Sequence, residues 1–237
     1  MTKNNKLLTA AAYVPPTPSL PSDMDFIYLA NNFDGTKIVN KAINSTFGDY
    51  LVAGTITLND SGSTAYLSNN LDRNNYLYKD LTSSELDLFK AIDNTYTYFI
   101  RAMQTSGGTG GIVSFRYNNE SSYVYMIRCV NNQLQIHTTS GNNLGSNFSL
   151  TTDNVYKVVV NGSTFYAKNL DTDADTTISY STNRNMSSRM TSFRADSSSS
   201  YGNEAYLDRF YALAGIARAT TDAEDAIIKD VLMNQSI

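Results

Sequence analysis

The stretch Val155-Tyr156-Lys157-Val158-Val159-Val160-Asn161-Gly162-Ser163-Thr164-Phe165-Tyr166-Ala167-Lys168 reads as two β-strands joined by a tight turn. Its first half is almost wholly β-branched or aromatic, which suits a pleated and covered surface. Asn161-Gly162 readily takes the two positive φ angles of a type I′ turn. Similar runs lie on both sides of this hairpin. Leu51 to Leu58 predicts one strand, ending at Asn59-Asp60-Ser61-Gly62. Tyr96 to Met103 predicts another, ending at the glycine-rich Thr105-Ser106-Gly107-Gly108-Thr109-Gly110-Gly111. Ile112 to Tyr117, Tyr123 to Val130 and Leu134 to Thr138 follow with Asn-rich turns between them, the pattern of an antiparallel meander. Ala205 to Leu213 closes the series.

Alternation along Tyr123 to Val130 puts Tyr123, Tyr125, Ile127 and Cys129 on one face and Val124, Met126, Arg128 and Val130 on the other. Both faces are largely apolar, which predicts a central strand covered on each side. Two short helices interrupt the strands. Thr82-Ser83-Ser84-Glu85 is a capping box leading into Leu86, Leu88, Phe89 and Ile92. Thr221-Asp222-Ala223-Glu224 is a second, leading into Ile227, Ile228, Val231 and Leu232. That spacing gives one apolar stripe, so the C-terminal helix is expected to pack back on the sheets.

Composition narrows the chemistry. The chain has 237 residues, 41% hydrophobic and 17% charged, enough apolar material for one large β domain. Its net charge of −4 argues against binding nucleic acid through phosphate neutralisation. No apolar stretch reaches the roughly 18 to 20 residues of a membrane span. One cysteine, Cys129, rules out an internal disulfide framework, and one histidine, His137, rules out His-pair metal sites.

The first 22 residues differ from the rest. Pro15, Pro16, Pro18 and Pro21 are all 4 prolines of the chain. Such a run favours extended backbone that cannot join a central strand. Residues 1–22 are therefore read as an extended arm, and 23–237 as the folded domain. The apolar tip Leu7, Leu8, Tyr13 and Val14 is the candidate anchor on a partner; a disordered leader is the plainer alternative. Lys3 and Lys6 before Leu7-Leu8 imitate a signal peptide, but the apolar run is short and meets Pro15-Pro16.

Several segments resemble the concanavalin A-like, laminin-G-type jelly rolls. Asn32-Phe33-Asp34-Gly35-Thr36 is similar to their opening strand and turn, and Tyr98-Phe99-Ile100-Arg101-Ala102 to an early core strand. Gly111 to Phe115, Tyr125-Met126-Ile127 and Gln133 to Ile136 resemble their central hairpins, and Val155 to Gly162 the strand that enters the next hairpin. Ala205-Tyr206-Leu207-Asp208-Arg209-Phe210-Tyr211 followed by Thr221 to Glu224 resembles their closing strand and short helix. The chain lacks the tryptophans usual in that group. The resemblance implies an all-β, two-sheet antiparallel jelly-roll sandwich with two short helices, preceded here by the arm. Such domains are common in bacteriophage and bacterial surface proteins, often bind carbohydrate at a concave face or loop rim, and sometimes bind calcium or hydrolyse glycans.

The residues themselves argue against hydrolysis. Retaining glucanases of this fold need two glutamates flanking an aspartate on one strand face. Glu85-Leu86-Asp87 lacks the second glutamate and falls in a helix, and Asp208 matches an aspartate that the family uses structurally. Asp171-Thr172-Asp173-Ala174-Asp175 imitates the start of an EF-hand loop but has Thr176 for its glycine and Thr182 for its glutamate, so it is read as a solvated turn. No cofactor is expected; a rim calcium ion assembled from several loops stays open, because its ligands need not be adjacent. Gly107 to Gly111 is read as a flexible hairpin loop, His137 as structural and Cys129 as a core residue. Tyr201 and Asn203 are candidates for a glycan-contact loop, since Tyr stacks on sugar faces and Asn bonds hydroxyls.

The expectation is therefore a structural component of a bacteriophage virion: a head fibre, decoration or tail-associated protein. Other virion proteins, further copies of itself and a cell-surface glycan are its expected partners, with no nucleic acid and no membrane. The alternative is a free-standing carbohydrate-binding module of a bacterial surface or secreted protein.

Overall fold

The computed structural model describes residues 19–90, 95–115, 126–137, 142–162, 164–179, 188–193 and 207–237. In chain order the strands are β1 (Phe26–Leu29), β2 (Lys37–Ile38), β3 (Tyr50–Ala53), β4 (Thr57–Asn59), β5 (Tyr66–Ser68), β6 (Tyr76–Asp80), β7 (Thr95–Met103) and β8 (Thr109–Ser114). They continue as β9 (Met126–Val130), β10 (Gln133–His137), β11 (Asn142–Asn143), β12 (Val155–Asn161), β13 (Thr164–Asn169), β14 (Asp175–Ser179), β15 (Arg189–Phe193) and β16 (Arg209–Ile216). Helix α1 spans Ser83–Lys90 and α2 spans Asp222–Asn234.

Two 8-stranded antiparallel sheets face each other. The first runs β14-β13-β12-β7-β16-β5-β4, with β1 added against β16; the second runs β11-β10-β9-β8-β15-β6-β3-β2. Between them lies one apolar core built by alternation. Tyr96, Tyr98, Ile100 and Ala102 of β7 enter it from the first sheet, and Ile127, Cys129, Leu134 and Ile136 from the second. Phe26 stacks on Tyr28 at 5.0 Å, and Tyr28 on Tyr50 at 4.8 Å, tying the two sheets together.

The other face of the first sheet is also apolar. Ile27, Phe99, Val155, Ala212 and Ala214 pack there against Ile228 and Leu232 of α2. Burying those two helix side chains contributes about 1.5–3 kcal/mol each. The capping box at Thr221 is present as expected: the Thr221 amide donates to Glu224 at 2.8 Å, and the Glu224 amide to the Thr221 hydroxyl at 3.3 Å. The box at Thr82 is present as well, with the Thr82 amide donating to Glu85 at 2.6 Å.

The meander β8-β9-β10 is observed in the expected order, and the short β11 adds an unexpected strand to its edge. Other expectations need correcting. Leu51 to Leu58 is not one strand: β3 belongs to the second sheet and β4 to the first. The crossing is at Gly54, whose φ is +73° and where any Cβ would run into Asn75 and the Asn74 carbonyl. In the β12–β13 hairpin Asn161 pairs with Thr164, so Asn161 ends the strand and Gly162 (φ 55°) starts the turn. The glycine-rich loop is shorter than expected, because Thr109, Gly110 and Gly111 already pair with Val130, Cys129 and Arg128. The closing strand runs further, to Ile216. On β9, Ile127 and Cys129 face the core, but Arg128 and Val130 are only half-buried. The outer face of the second sheet is therefore not covered along that strand in full.

Candidate functional site

Helix α2 closes the outer face of the first sheet, and its ends are fixed. Arg101, 2% exposed, points outward from β7 and donates to the carbonyls of Ser63, Leu232 and Met233 at 2.8, 3.0 and 2.9 Å. Its remaining donors grip Asp153 at 2.8 and 2.7 Å, and its guanidinium lies 4.5 Å over the Tyr211 ring. Lys157 and Asp225, both buried, pair at 2.7 Å beneath the helix. A cleft of about 330 Å³ beside α2 is lined by Lys168, Asp173, Asp222, Asp225 and Lys229. Of these, Asp225 is held by Lys157, Asp173 pairs with Lys168, and Lys229 with Asp171.

The second sheet presents a different surface. In β6, Leu77 enters the core, so Tyr78 and Asp80 project outward. Arg189 of β15 lies directly across from Asp80 and bonds it twice, at 2.5 and 3.0 Å. The same guanidinium sits 4.4 Å over the Tyr78 ring. Leu51, 37% exposed, pairs with Tyr78 from the other side. Tyr76 adds a second ring, 6.0 Å from Tyr78 and tilted by 54°.

Strand register extends this cluster into a row. Lys37, Leu51, Tyr78, Thr191, Ser114, Met126 and His137 are successive cross-strand partners. Exposure changes partway along it: Ser114 is 1% and Met126 2% exposed. The more accessible part, with Leu51 exposed and Lys37, Tyr78 and Thr191 half-buried, thus spans three strand intervals or about 14 Å. Lys37 is anchored at its edge by Asp49 at 2.6 Å.

The residues singled out by sequence are distributed as follows. Leu7, Leu8, Tyr13, Val14, Tyr201 and Asn203 lie outside the described residues. Asp208 accepts bonds from the Thr105 amide, the Ser106 amide (2.8 Å) and the Thr105 hydroxyl (3.1 Å), pinning the turn before β8 to the start of β16. Glu85, 4% exposed, caps α1 and pairs with Lys79 at 3.3 Å. The carboxylates of Asp171, Asp173 and Asp175 diverge, going to Lys229, Lys168 and the Tyr166 hydroxyl. No group of three His, Cys, Asp or Glu side chains gathers to hold a metal ion among the described residues. Cys129 is buried, its thiol pushed up to about 12 by burial, and donates to the Gly110 carbonyl at 3.2 Å. Tyr76, Tyr78, Asp80 and Arg189 were not expected; the alternation Tyr76-Leu77-Tyr78-Lys79-Asp80 is the local signal for the first three.

No protein-family profile and no curated protein matches this chain. Solved structures do. The binding domain of botulinum neurotoxin serotype D/C VPI 5993 is similar with a TM-score of 0.62 at 14% identity, over 89% of this chain and 52% of that one. Domain 4 of AbnA, a GH43 extracellular arabinanase from Geobacillus stearothermophilus in complex with arabinotriose, is similar with a TM-score of 0.55 at 11% identity. That match covers 89% of this chain and 98% of the domain. The fold is a jelly-roll sandwich. A Trypanosoma rangeli sialidase in complex with sialic acid is also similar, with a TM-score of 0.60 at 8% identity, over 92% of this chain and 35% of the enzyme. The chain thus spans about half the length of the neurotoxin binding domain and about a third of the sialidase. At such identities the fold is what is shared. Within this jelly roll, α2 occupies one outer face and leaves the Tyr78 surface on the other.

Proposed function

We propose that this jelly roll is a glycan-binding domain whose contact surface is the open part of the second sheet, centred on Tyr78. The observation that carries this reading is the Tyr78–Arg189–Asp80 cluster: a ring and a guanidinium stacked at 4.4 Å, with the guanidinium fixed by a twofold bond to a carboxylate. Sugars offer apolar C–H faces and rows of hydroxyls. Flat aromatic surface beside fixed donors and acceptors matches both. Leu51 extends the apolar part, and Lys37 and Thr191 add polar groups at either side. The width of about 14 Å suits a short oligosaccharide. The similarity to an arabinanase domain in complex with arabinotriose supports the same class of ligand.

The reading is one of binding without hydrolysis. Glu85 and Asp208 are engaged in holding a helix start and a turn. For the setting we propose a bacteriophage particle, with residues 1–22 as the arm that joins the domain to other virion proteins or further copies of this chain. The four clustered prolines and the resemblance to phage jelly rolls support this, and a free-standing carbohydrate-binding module is the competing setting. Deleting residues 1–22 separates the two: the particle reading predicts a folded domain that no longer incorporates, and unchanged incorporation contradicts it. A glycan array probed with wild type and Tyr78→Ala tests the binding reading itself.

A further inference from the structure

Asp25 lies just before β1, where the chain first joins the sandwich. Its backbone makes three hydrogen bonds, which release of the segment would have to break: the amide donates to the Gly215 carbonyl at 2.9 Å, and the carbonyl accepts from Asn40 (3.2 Å) and from the Ser45 hydroxyl. Its side chain is not served in the same way. Oδ2 of Asp25 is buried and accepts no hydrogen bond among the described residues. With that oxygen removed from water and unserved, the half-buried carboxylate is costly in its charged form and better tolerated when protonated.

The surrounding groups do not offset that charge. Arg218, which follows Ala217 in the chain, donates to Asp23 at 2.6 and 3.0 Å and to Glu224 at 2.6 and 3.1 Å. Its guanidinium is thus taken up by two other carboxylates. The Tyr96 hydroxyl on β7 and the Ala217 amide after β16 favour the ionised form, while the charge of Asp23 on the same segment opposes it. Burial outweighs them and pushes the Asp25 carboxyl up to about 6. Besides those backbone bonds, the segment is held by Met24, 2% exposed, and Leu20, which pack against the α2-side cluster, and by Asp23, which bonds Arg218 at the surface.

We propose that residues 19–25 form a pH-sensitive latch, docked on the sandwich while Asp25 is protonated and loosened when it ionises. The core strand β1 stays in place, because Phe26 and Tyr28 are buried in the aromatic stack. The loosening is confined to the segment that links the preceding residues to the domain; on the proposed reading of those residues as an arm, its attachment becomes pH-dependent.

Hydrogen–deuterium exchange on the full chain tests this, corrected for intrinsic rates. Opening of residues 19–25 should rise about tenfold between pH 5 and pH 7.5, as expected for a group that titrates near 6 when docked and near 4 when released. Protection of β7 should not change. In Asp25→Asn the segment should stay protected at both pH values. Equal protection at pH 5 and 7.5 in wild type would overturn the proposal. So would a pH dependence that persists in Asp25→Asn.

Discussion

Arg101 donates to the Leu232 carbonyl at 3.0 Å, joining the central strand β7 to the last turn of α2. The bond sits where a helix carries exposed carbonyls and partial negative charge, so a buried cation there serves both. Asp153 then balances the guanidinium at 2.7 Å. Arg101→Met keeps the bulk but strands the Leu232 and Met233 carbonyls and Asp153, while the Ser63 carbonyl keeps its bond from Gln235 at 3.2 Å. It should lower the unfolding free energy by about 3 kcal/mol in urea titrations. A loss below about 1 kcal/mol would mean that α2 is held without Arg101, by its apolar stripe and the Lys157–Asp225 and Lys229–Asp171 pairs.

The pH profile should carry two opposed limbs. Arg218 holds the Glu224 carboxyl down to about 2, so the stability this group supplies is present above about pH 4.5 and is lost as pH falls toward 2. Asp25, pushed up to about 6, does the reverse: its contribution is full below about pH 4 and is lost as pH rises through 6. Melting temperature scanned from pH 2 to 8 should show Glu224→Gln flattening the acid limb. Asp25→Asn should flatten the limb between pH 4 and 6. Exchanged or absent effects would refute the assignment.

Gly215 is packed too closely for any side chain. A Cβ there would run into the Phe26 ring and lie 2.8 Å from the Tyr96 hydroxyl. Gly215→Ala should destabilise by about 1–3 kcal/mol, since the rings it would displace are themselves stacked in the core. Thermal unfolding followed by near-ultraviolet circular dichroism reads both the loss of stability and the disturbed tyrosines.

Cys129 should be inert in the folded protein. Its thiol is buried and titrates near 12, so an aromatic disulfide reagent at pH 8 should label it only after unfolding. Labelling of the native protein at the rate of a free thiol would show that β9 opens.

What the sequence discloses and what it hides follow one physical line. The meander β8–β10, the hairpin β12–β13 and the capped α2 depend on residues close in sequence, and their period and turn chemistry are readable. The hairpin turn was misplaced by one residue because Asn161 and Gly162 both suit a turn; pairing with Thr164 decided it. Leu51 to Leu58 reads as one strand because nothing local announces that Gly54 crosses between sheets. Of the Tyr78 surface only the alternation from Tyr76 to Asp80 is local, and the part supplied by Arg189 is hidden for a related reason. Asp80 and Arg189 are 109 positions apart, and the register of two distant strands brings them together. Asp25 likewise becomes unusual only once the fold removes its water.

The central claim is that the open face around Tyr78 binds glycan. The most direct measurement is a glycan array that includes arabinotriose and sialic acid, followed by calorimetric titration of the best ligand into wild type and Tyr78→Ala. The account predicts binding by wild type, weakened at least about tenfold in Tyr78→Ala, roughly 1.4 kcal/mol, with unchanged melting temperature. No bound glycan anywhere on the array, or equal affinity in the two proteins, would contradict it.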